Sequence, residues 1–381
     1  MPSDFSKISI SSLSRFHLFD VARALNKKKN LKKLFNTYPY FITKKWIKEK
    51  NKIKTYLLPE ILTRLNSRFL RSNKIYDYSK RLFINWQKKV IDKKPGVYLS
   101  LNGYQLEIYK TLKDHKFLIS DNGSAHPIEV DLIRSQESKK FGMQFDKISP
   151  FEISNSLSEY EICDLIQVPS NFAKKSYLKH GIDEKKLFLN NYGVDTDFFN
   201  CEKIKEEEFI IVFCGGITLR KGIHYLIKSF NKLNIKKSKL FLIGPIDSNF
   251  LKIIKNDIKE NIYFLGPKNQ NEIIQIYRKC SLYIQPSIEE GLALSQLQAM
   301  SCKLPLLCNS NTGGEDIITE GIEGYTISPF DINVLSEYIK WFYLNREKTY
   351  NMGLLARKKV LSNYTWDHYG LRLINQLKKL C

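Results

Sequence analysis

Glu289 and Glu290 stand in front of Gly291, and the run Leu292-Ala293-Leu294-Ser295-Gln296-Leu297-Gln298-Ala299-Met300 follows at once. Leu294, Leu297 and Met300 recur at helical spacing, which puts them on a buried face and turns Ser295, Gln296 and Gln298 away from it. The first turn of such a helix offers unbonded backbone N–H groups at the positive end of the helix dipole, a natural anion site. A carboxylate repels phosphate, so Glu290 suits another partner, the hydroxyls of a polyol. A ligand with both phosphates and hydroxyls, a sugar nucleotide, meets both demands. A plain acidic helix start has the same local pattern, so the other turns of the chain decide.

Two more turns point the same way. Gly215-Gly216 ends the apolar run Phe209–Cys214, and Arg220-Lys221-Gly222 leads into the next helix. Arginine grips a diphosphate in a fork and lysine as a point charge. Gly313-Gly314-Glu315 makes a third helix entry. In the first half, Asp121-Asn122-Gly123-Ser124-Ala125-His126-Pro127 follows an apolar strand, and His17 sits ahead of the first helix, which it helps to seat.

These turns need elements to hold them. Strands are expected at 7–11, 31–35, 97–101, 116–120 and 162–168, with helices at 16–25, 105–112 and 173–180 and basic helices through Arg64, Arg68, Arg81, Lys88 and Lys89. After a break at Tyr192-Gly193-Val194-Asp195 the alternation restarts. Strands are read at 209–214, 240–243, 262–265, 282–285 and 304–308, and helices at 225–233, 272–279 and from Asp331. Alternation of this kind implies parallel sheets covered on both faces, with ligands at the carboxyl ends of strands. The expected fold class is α/β, two doubly wound Rossmann-like domains facing across a cleft. Residues 1–190 form the first, residues 191–364 the second, and a last helix, 365–381, packs back on the first.

At 381 residues the chain is long enough for two cores, and 43% hydrophobic with 26% charged content is ordinary for a globular protein. No apolar run approaches the ~20 residues of a membrane span, and the N-terminus lacks the pattern of a secretory signal. Seven dispersed cysteines without CxxC or metal-ligand spacing imply a reducing compartment and no bound metal. Residues 1–100 hold 24 Lys+Arg against 6 Asp+Glu, so most of the +22 net charge lies there. Basic residues 27–94 therefore suit an acidic acceptor or an anionic membrane surface, and Phe41–Lys54, with Trp46 among lysines, is a candidate contact.

The segments 164–195, 213–230 and 262–287, the run 289–300 and the pair Gly313-Gly314 together resemble a glycosyltransferase of family 4, with the retaining GT-B fold, over roughly the last 220 residues. The N-terminal half resembles the family more loosely. The resemblance implies a nucleotide-diphosphate sugar donor held by the second domain, with no cofactor and no metal. It implies that Lys221 binds phosphate and Glu290 contacts the donor sugar's hydroxyls, both as the first glutamate of a Glu-x7-Glu signature and as a catalytic residue. The backbone of Gly291, Leu292, Ala293 and Leu294 would hold sugar and phosphates, and the region from Phe264 to Lys268, Gly266 included, would border the base. Two positions depart from the pattern. Gly216 stands where the family has an arginine, which Arg220 would partly replace next to Gly215. Gln298 stands where it has the second glutamate, still able to accept a hydrogen bond. His126 would face the donor sugar across the cleft as a second catalytic residue. The acceptor expected is a glycan or a lipid-linked precursor of a cell-surface polysaccharide, and the place of work the cytoplasm, peripheral on the inner membrane face.

Fold alone does not fix function. A nucleotide-sugar epimerase, a phosphorylase and a non-catalytic sugar-nucleotide binder share this architecture. A pI near 9.5 also admits a nucleic-acid binder. No nucleic-acid module stands in the sequence, however, and the charge avoids the second domain.

Overall fold

The computed structural model describes residues 5–70, 72–143, 147–204 and 206–380. Two parallel sheets carry it. The first contains β1 (Ile8–Ser12), β2 (Leu31–Asn36), β3 (Ile53–Thr55), β4 (Val97–Leu101), β5 (Phe117–Asp121), β6 (Leu165–Val168) and β7 (Leu187–Leu189), in the order β3-β2-β1-β4-β5-β6-β7. The second contains β8 (Phe209–Cys214), β9 (Ser238–Ile243), β10 (Ile262–Gly266), β11 (Leu282–Gln285), β12 (Leu306–Asn309) and β13 (Gly324–Ile327), in the order β10-β9-β8-β11-β12-β13. Near-continuous burial along β1, β5, β8 and β11 follows from cover on both faces, which is why β8 and β11 read as apolar runs; β1 alternates isoleucine with serine yet is buried throughout.

Strand order reverses between β1 and β4 in the first sheet and between β8 and β11 in the second. Such switch points open a crevice at the carboxyl ends of the strands. β8 ends at Gly215-Gly216 and β11 leads to Glu289-Glu290, so two of the turns singled out in the sequence meet at one crevice.

The helices of the first domain are α1 (Leu18–Lys27), α2 (Tyr40–Thr43), α3 (Leu58–Leu65), α4 (Asn73–Val90), α5 (Leu106–Leu112), α6 (Pro127–Lys140), α7 (Pro150–Ile162) and α8 (Asn171–Lys179). Those of the second are α9 (Ile223–Leu233), α10 (Ser248–Ile254), α11 (Gln270–Tyr277), α12 (Leu294–Ser301), α13 (Ile332–Leu344) and α14 (Arg346–Asn363). Helix α15 (Trp366–Lys379) starts from a capping box of Thr365 and His368 and lies on α1. Gly370 permits that approach, since a Cβ there would stand 3.1 Å from the Ala24 methyl. Buried Leu373 and Leu377 each contribute about 1.5–3 kcal/mol to this seam. No helix among the described residues is long and apolar enough to cross a membrane.

Two local expectations are corrected, and one region is given its packing. Ile162 closes α7 rather than opening β6. Gln296 does not turn outward; it is fully buried and donates to the Thr312 carbonyl at 2.9 Å, while Leu294 is only half-buried. In Phe41–Lys54 the apolar residues are largely core. Ile47 and Ile53 are buried, and Trp46 donates to Asp20 Oδ1 at 3.0 Å and packs edge-on against Phe19. Phe41 alone of these residues stands well out.

Candidate functional site

At the second switch point Arg220 and Lys221 form a single turn of 3-10 helix, Leu219–Lys221, closed by Gly222 at φ +64°. An L side chain at Gly222 would overlap the Pro286 carbonyl, so only glycine lets this turn lie against the segment that carries the two glutamates. Gly244 makes a similar approach to the Gly215 carbonyl. The result is a compact charge cluster. Arg220 reaches Glu289 with Nε at 2.5 Å and Glu290 with NH2 at 2.8 Å, and Lys221 Nζ is paired with the other oxygen of Glu290.

Burial pushes the Glu290 carboxyl up, but Lys221 and Arg220 outweigh it and hold the group below its ordinary range. Burial lowers the Arg220 guanidinium, and Glu290 and Glu289 more than reverse this. Both sides of the cluster therefore stay charged. Glu289 is fully buried and is also bound by Arg134 of α6 at 2.8 Å, so a first-domain cation takes part. Its second oxygen, Oε2, has no hydrogen-bond partner among the described residues.

Beyond Glu290 the backbone of Gly291 presses on the first domain; a Cβ there would overlap the Gly123 carbonyl. Leu292 and Ala293 are buried, and no side chain caps the start of α12. Gly313, at φ +71°, lets the third turn sit beneath Gly291. Gly266, at φ +68°, ends β10, and its carbonyl accepts from Gly244 N at 3.0 Å.

Two cavities flank the cluster. One, of about 540 Å³, lies in the first domain and is lined among others by Tyr76, Lys80, Asn102, Asn122, Ser124 and Arg134. The other, of about 470 Å³, lies between the domains, where Leu294 and Gln298 face Phe16, His17, Arg23 and Trp46.

Residues 194–359 match the family model described as Glycosyl transferases group 1. The chain is 26% identical over 247 residues to an uncharacterized glycosyltransferase of Methanocaldococcus jannaschii, covering 61% of this chain and 60% of that protein. It is 24% identical over 238 residues to the capsular polysaccharide biosynthesis glycosyltransferase CapM of Staphylococcus aureus, covering 58% and 60%. The chain thus spans about three fifths of the length of these curated relatives. In structure it superposes on the sucrose-phosphate synthase of Thermosynechococcus elongatus with a TM-score of 0.71 at 15% identity, over 98% of this chain and 99% of that one. Anabaena HepE, solved with UDP and glucose, follows at a TM-score of 0.69 and 12% identity, over 98% and 100%. The two-sheet α/β architecture is that of the GT-B glycosyltransferases.

Every expected donor residue, from Gly215 to Gln298, falls within the segment matched by the group 1 glycosyltransferase model. His126 does not, and its expected position facing the donor is corrected. The ring is fully buried, stacked on His180 at 4.5 Å and edge-on to Tyr177 at 5.3 Å, and neither ring nitrogen has a hydrogen-bond partner among the described residues. Burial and then His180 push its pKa down to about 4. The backbone at 126 turns the chain into α6, and Ala125 and Pro127 line the first cavity while the imidazole points into the core.

Three polar residues near the cluster were given no role by the sequence reading. Arg134 sits two turns into a helix whose face toward the cleft is unknowable without its partner. Asp121, at the end of β5, takes His17 Nε2 at 2.5 Å on one oxygen and Gln167 at 2.9 Å on the other. Tyr192, whose hydroxyl has no partner, packs on the His17 ring at 4.6 Å. A polar residue directly after an apolar strand is the signal that marks Asp121.

Proposed function

We propose that the chain is a retaining glycosyltransferase that moves a sugar from a nucleotide-diphosphate sugar to a glycan or lipid-linked acceptor, as in the building of cell-surface polysaccharide. One observation carries the reading: Arg220, Lys221 and Glu290 are drawn together at the β8–β11 switch point, beside the uncapped start of α12. Two cations and a helix N-terminus suit the diphosphate, and a carboxylate held ionised suits the hydroxyls of the sugar. Without donor the cations neutralise Glu290. With donor they turn to the diphosphate, and Glu290 accepts from the sugar instead.

In the reaction the bond between the anomeric carbon and the diphosphate oxygen breaks, and charge grows on that oxygen. Lys221, Arg220 and the amides of Gly291–Leu294 stabilise it from fixed positions. The acceptor hydroxyl enters from the first cavity on the face the diphosphate leaves. Its oxygen bonds to the anomeric carbon, its proton passes to the departing phosphate, and configuration is kept. Gln298 at the inter-domain cavity reaches the nucleoside, and Phe264–Lys268, with Gly266, borders the base. No metal or cofactor is required in this scheme. The site of action is the cytoplasm, with basic residues 27–94 turned toward an anionic membrane surface.

A thermal-shift series of UDP-, GDP- and ADP-sugars tests the donor half, followed by release of labelled sugar to an acceptor. At least one donor stabilises the wild type, and none stabilises Glu290→Ala to the same extent. A second reading, a binder without turnover, draws on Gly216 and Gln298. Stabilisation without any transfer or slow hydrolysis of the donor would select it.

A further inference from the structure

Helix α3 carries an apolar ridge that nothing among the described residues covers. Leu57, Leu58, Ile61 and Leu65 are 43, 41, 51 and 50% exposed, and Phe69 and Leu70, in the wide turn Asn66–Leu70 that continues the helix, are 68 and 64% exposed. At about 100° per residue the first four fall within one arc of roughly 100°. Their placement is held firmly. Pro59 and Asn66 are buried on the inner side, and Asn66 clips the start of α4 by bonds to Ser72 O at 2.9 Å and from Ser72 N at 2.8 Å. Monomeric proteins seldom leave so many large apolar side chains contiguous without a partner for them.

Charge selects the partner. Residues 57–90 hold eight Lys+Arg and two acidic residues. Arg64 and Arg68 edge the ridge, the latter with its guanidinium 5.4 Å over the Phe69 ring. A second copy of this chain would bring one positive face against another. An anionic bilayer supplies an apolar phase for the leucines and phosphates for the arginines, which can keep their heads in the headgroup layer while their stems lie along the ridge. Helix α4 packs on α3, and its Tyr76 and Lys80 line the first-domain cavity. The cavity and the ridge therefore lie on adjoining helices.

We propose that α3 and the turn to Leu70 seat their apolar ridge in the headgroup region of an anionic membrane, and that the neighbouring cavity takes the polar head of an acceptor whose lipid stays in that membrane. The docking stands by itself; the acceptor half rests on the glycosyltransferase reading and names its acceptor class.

The test is flotation of the full chain with vesicles of phosphatidylcholine alone or mixed with phosphatidylglycerol. Wild type floats with the mixed vesicles, and Ile61→Asp/Phe69→Asp loses about tenfold or more of that partition. Both positions are exposed, so unfolding temperature and donor-induced stabilisation stay as in wild type. Equal flotation of variant and wild type overturns the docking. So does a dimer of the wild type, seen by light scattering, that the variant dissolves. For the acceptor half, transfer to a lipid-linked glycan in the mixed vesicles exceeds transfer to the same glycan freed of its lipid, and the variant loses that advantage. Equal use of both acceptors overturns this half while the docking stands. Failure of every nucleotide sugar to stabilise the protein would instead strike the donor reading, and flotation would be untouched by it.

Discussion

Glu290 is shared between two cations, and its removal separates the two jobs assigned to the cluster. In Glu290→Ala, Lys221 is released and Arg220 keeps only Glu289. The diphosphate then meets freer cations, while the sugar loses a charged acceptor worth about 1.5–3 kcal/mol. The expected outcome by calorimetry is that free nucleoside diphosphate binds at least as tightly as before. The nucleotide sugar, in contrast, loses about ten- to a hundredfold relative to it. Parallel losses for both ligands would show that Glu290 does not touch the sugar. His126 gives the opposite kind of prediction. Its folded pKa of about 4 lies below the ordinary value near 6.5. The unfolded chain therefore takes up the proton first. The stability that comes from keeping this ring neutral is complete above pH ~6.5 and is lost as the pH falls toward 4. Urea unfolding at pH 7 and pH 5 should show His126→Phe losing less stability on acidification than wild type, with transfer at neutral pH within about twofold. A large drop in turnover would return the imidazole to the chemistry. Residue types at turns show that a polar group is needed there. They do not show on which side of the turn it emerges, and that is why His126 reads like Asp121 until the packing is seen.

At the scale of elements, the site depends on the turn at Gly222. Ala at this position meets a left-handed backbone and the Pro286 carbonyl together. Gly222→Ala should cost on the order of 2 kcal/mol or more in chemical denaturation, and donor affinity should fall further than stability does because Arg220 and Lys221 shift with the turn. Unchanged donor affinity in a folded variant would mean that the cations do not depend on this turn for their aim. Legibility follows the same physics. Strands β8 and β11 are plain in the sequence because burial on both faces leaves an apolar run bounded by glycine or a polar turn. The short edge strands β7 and β13, of three and four residues, carry too little pattern to stand out. Helix α6 buries Val130, Glu137 and Ser138 and scatters Ile128, Leu132 and Ile133 among polar residues, so no apolar stripe announces it. One of its buried residues, Glu137, meets the other domain, and a polar contact of that kind leaves no periodic pattern. Around Arg64 and Arg68 the sequence shows a basic helix, and only the packing shows that its leucines face outward.

At the scale of the whole molecule, α6 ties the two domains through polar contacts that stand apart from the donor cluster. Glu137 is buried and accepts from His224 Nε2 at 3.0 Å and from the Tyr225 hydroxyl at 2.7 Å, both on α9. Burial raises its carboxyl, but His224, Tyr225 and Lys140 more than offset this, so the group stays ionised in the closed arrangement. Asn171 N donates to Asp316 at 2.8 Å on the far side of the cleft. A buried carboxylate bound by two groups of the opposite domain is strongly missed when removed, by about 3–5 kcal/mol for a buried pair. Here the loss can be relieved without unfolding either sheet, because the domains can part and let water reach His224 and Tyr225. Glu137→Leu should therefore raise the radius of gyration in X-ray scattering and lower transfer at least about tenfold through misalignment of acceptor and donor. Nucleotide affinity should stay near wild type, since Arg220, Lys221 and Glu290 all belong to the second domain. Because Glu137 lies below the ordinary carboxylate range, its contribution to closure is present above pH ~4.5 and lost as the pH drops through its folded value. Wild type should thus open on acidification while the variant, already open, changes little. If scattering shows the same compact particle for both at neutral pH, Glu137 is a local bond rather than the clasp between the lobes, and closure must rest on Arg134 with Glu289 and on the contact of Gly291 with Gly123.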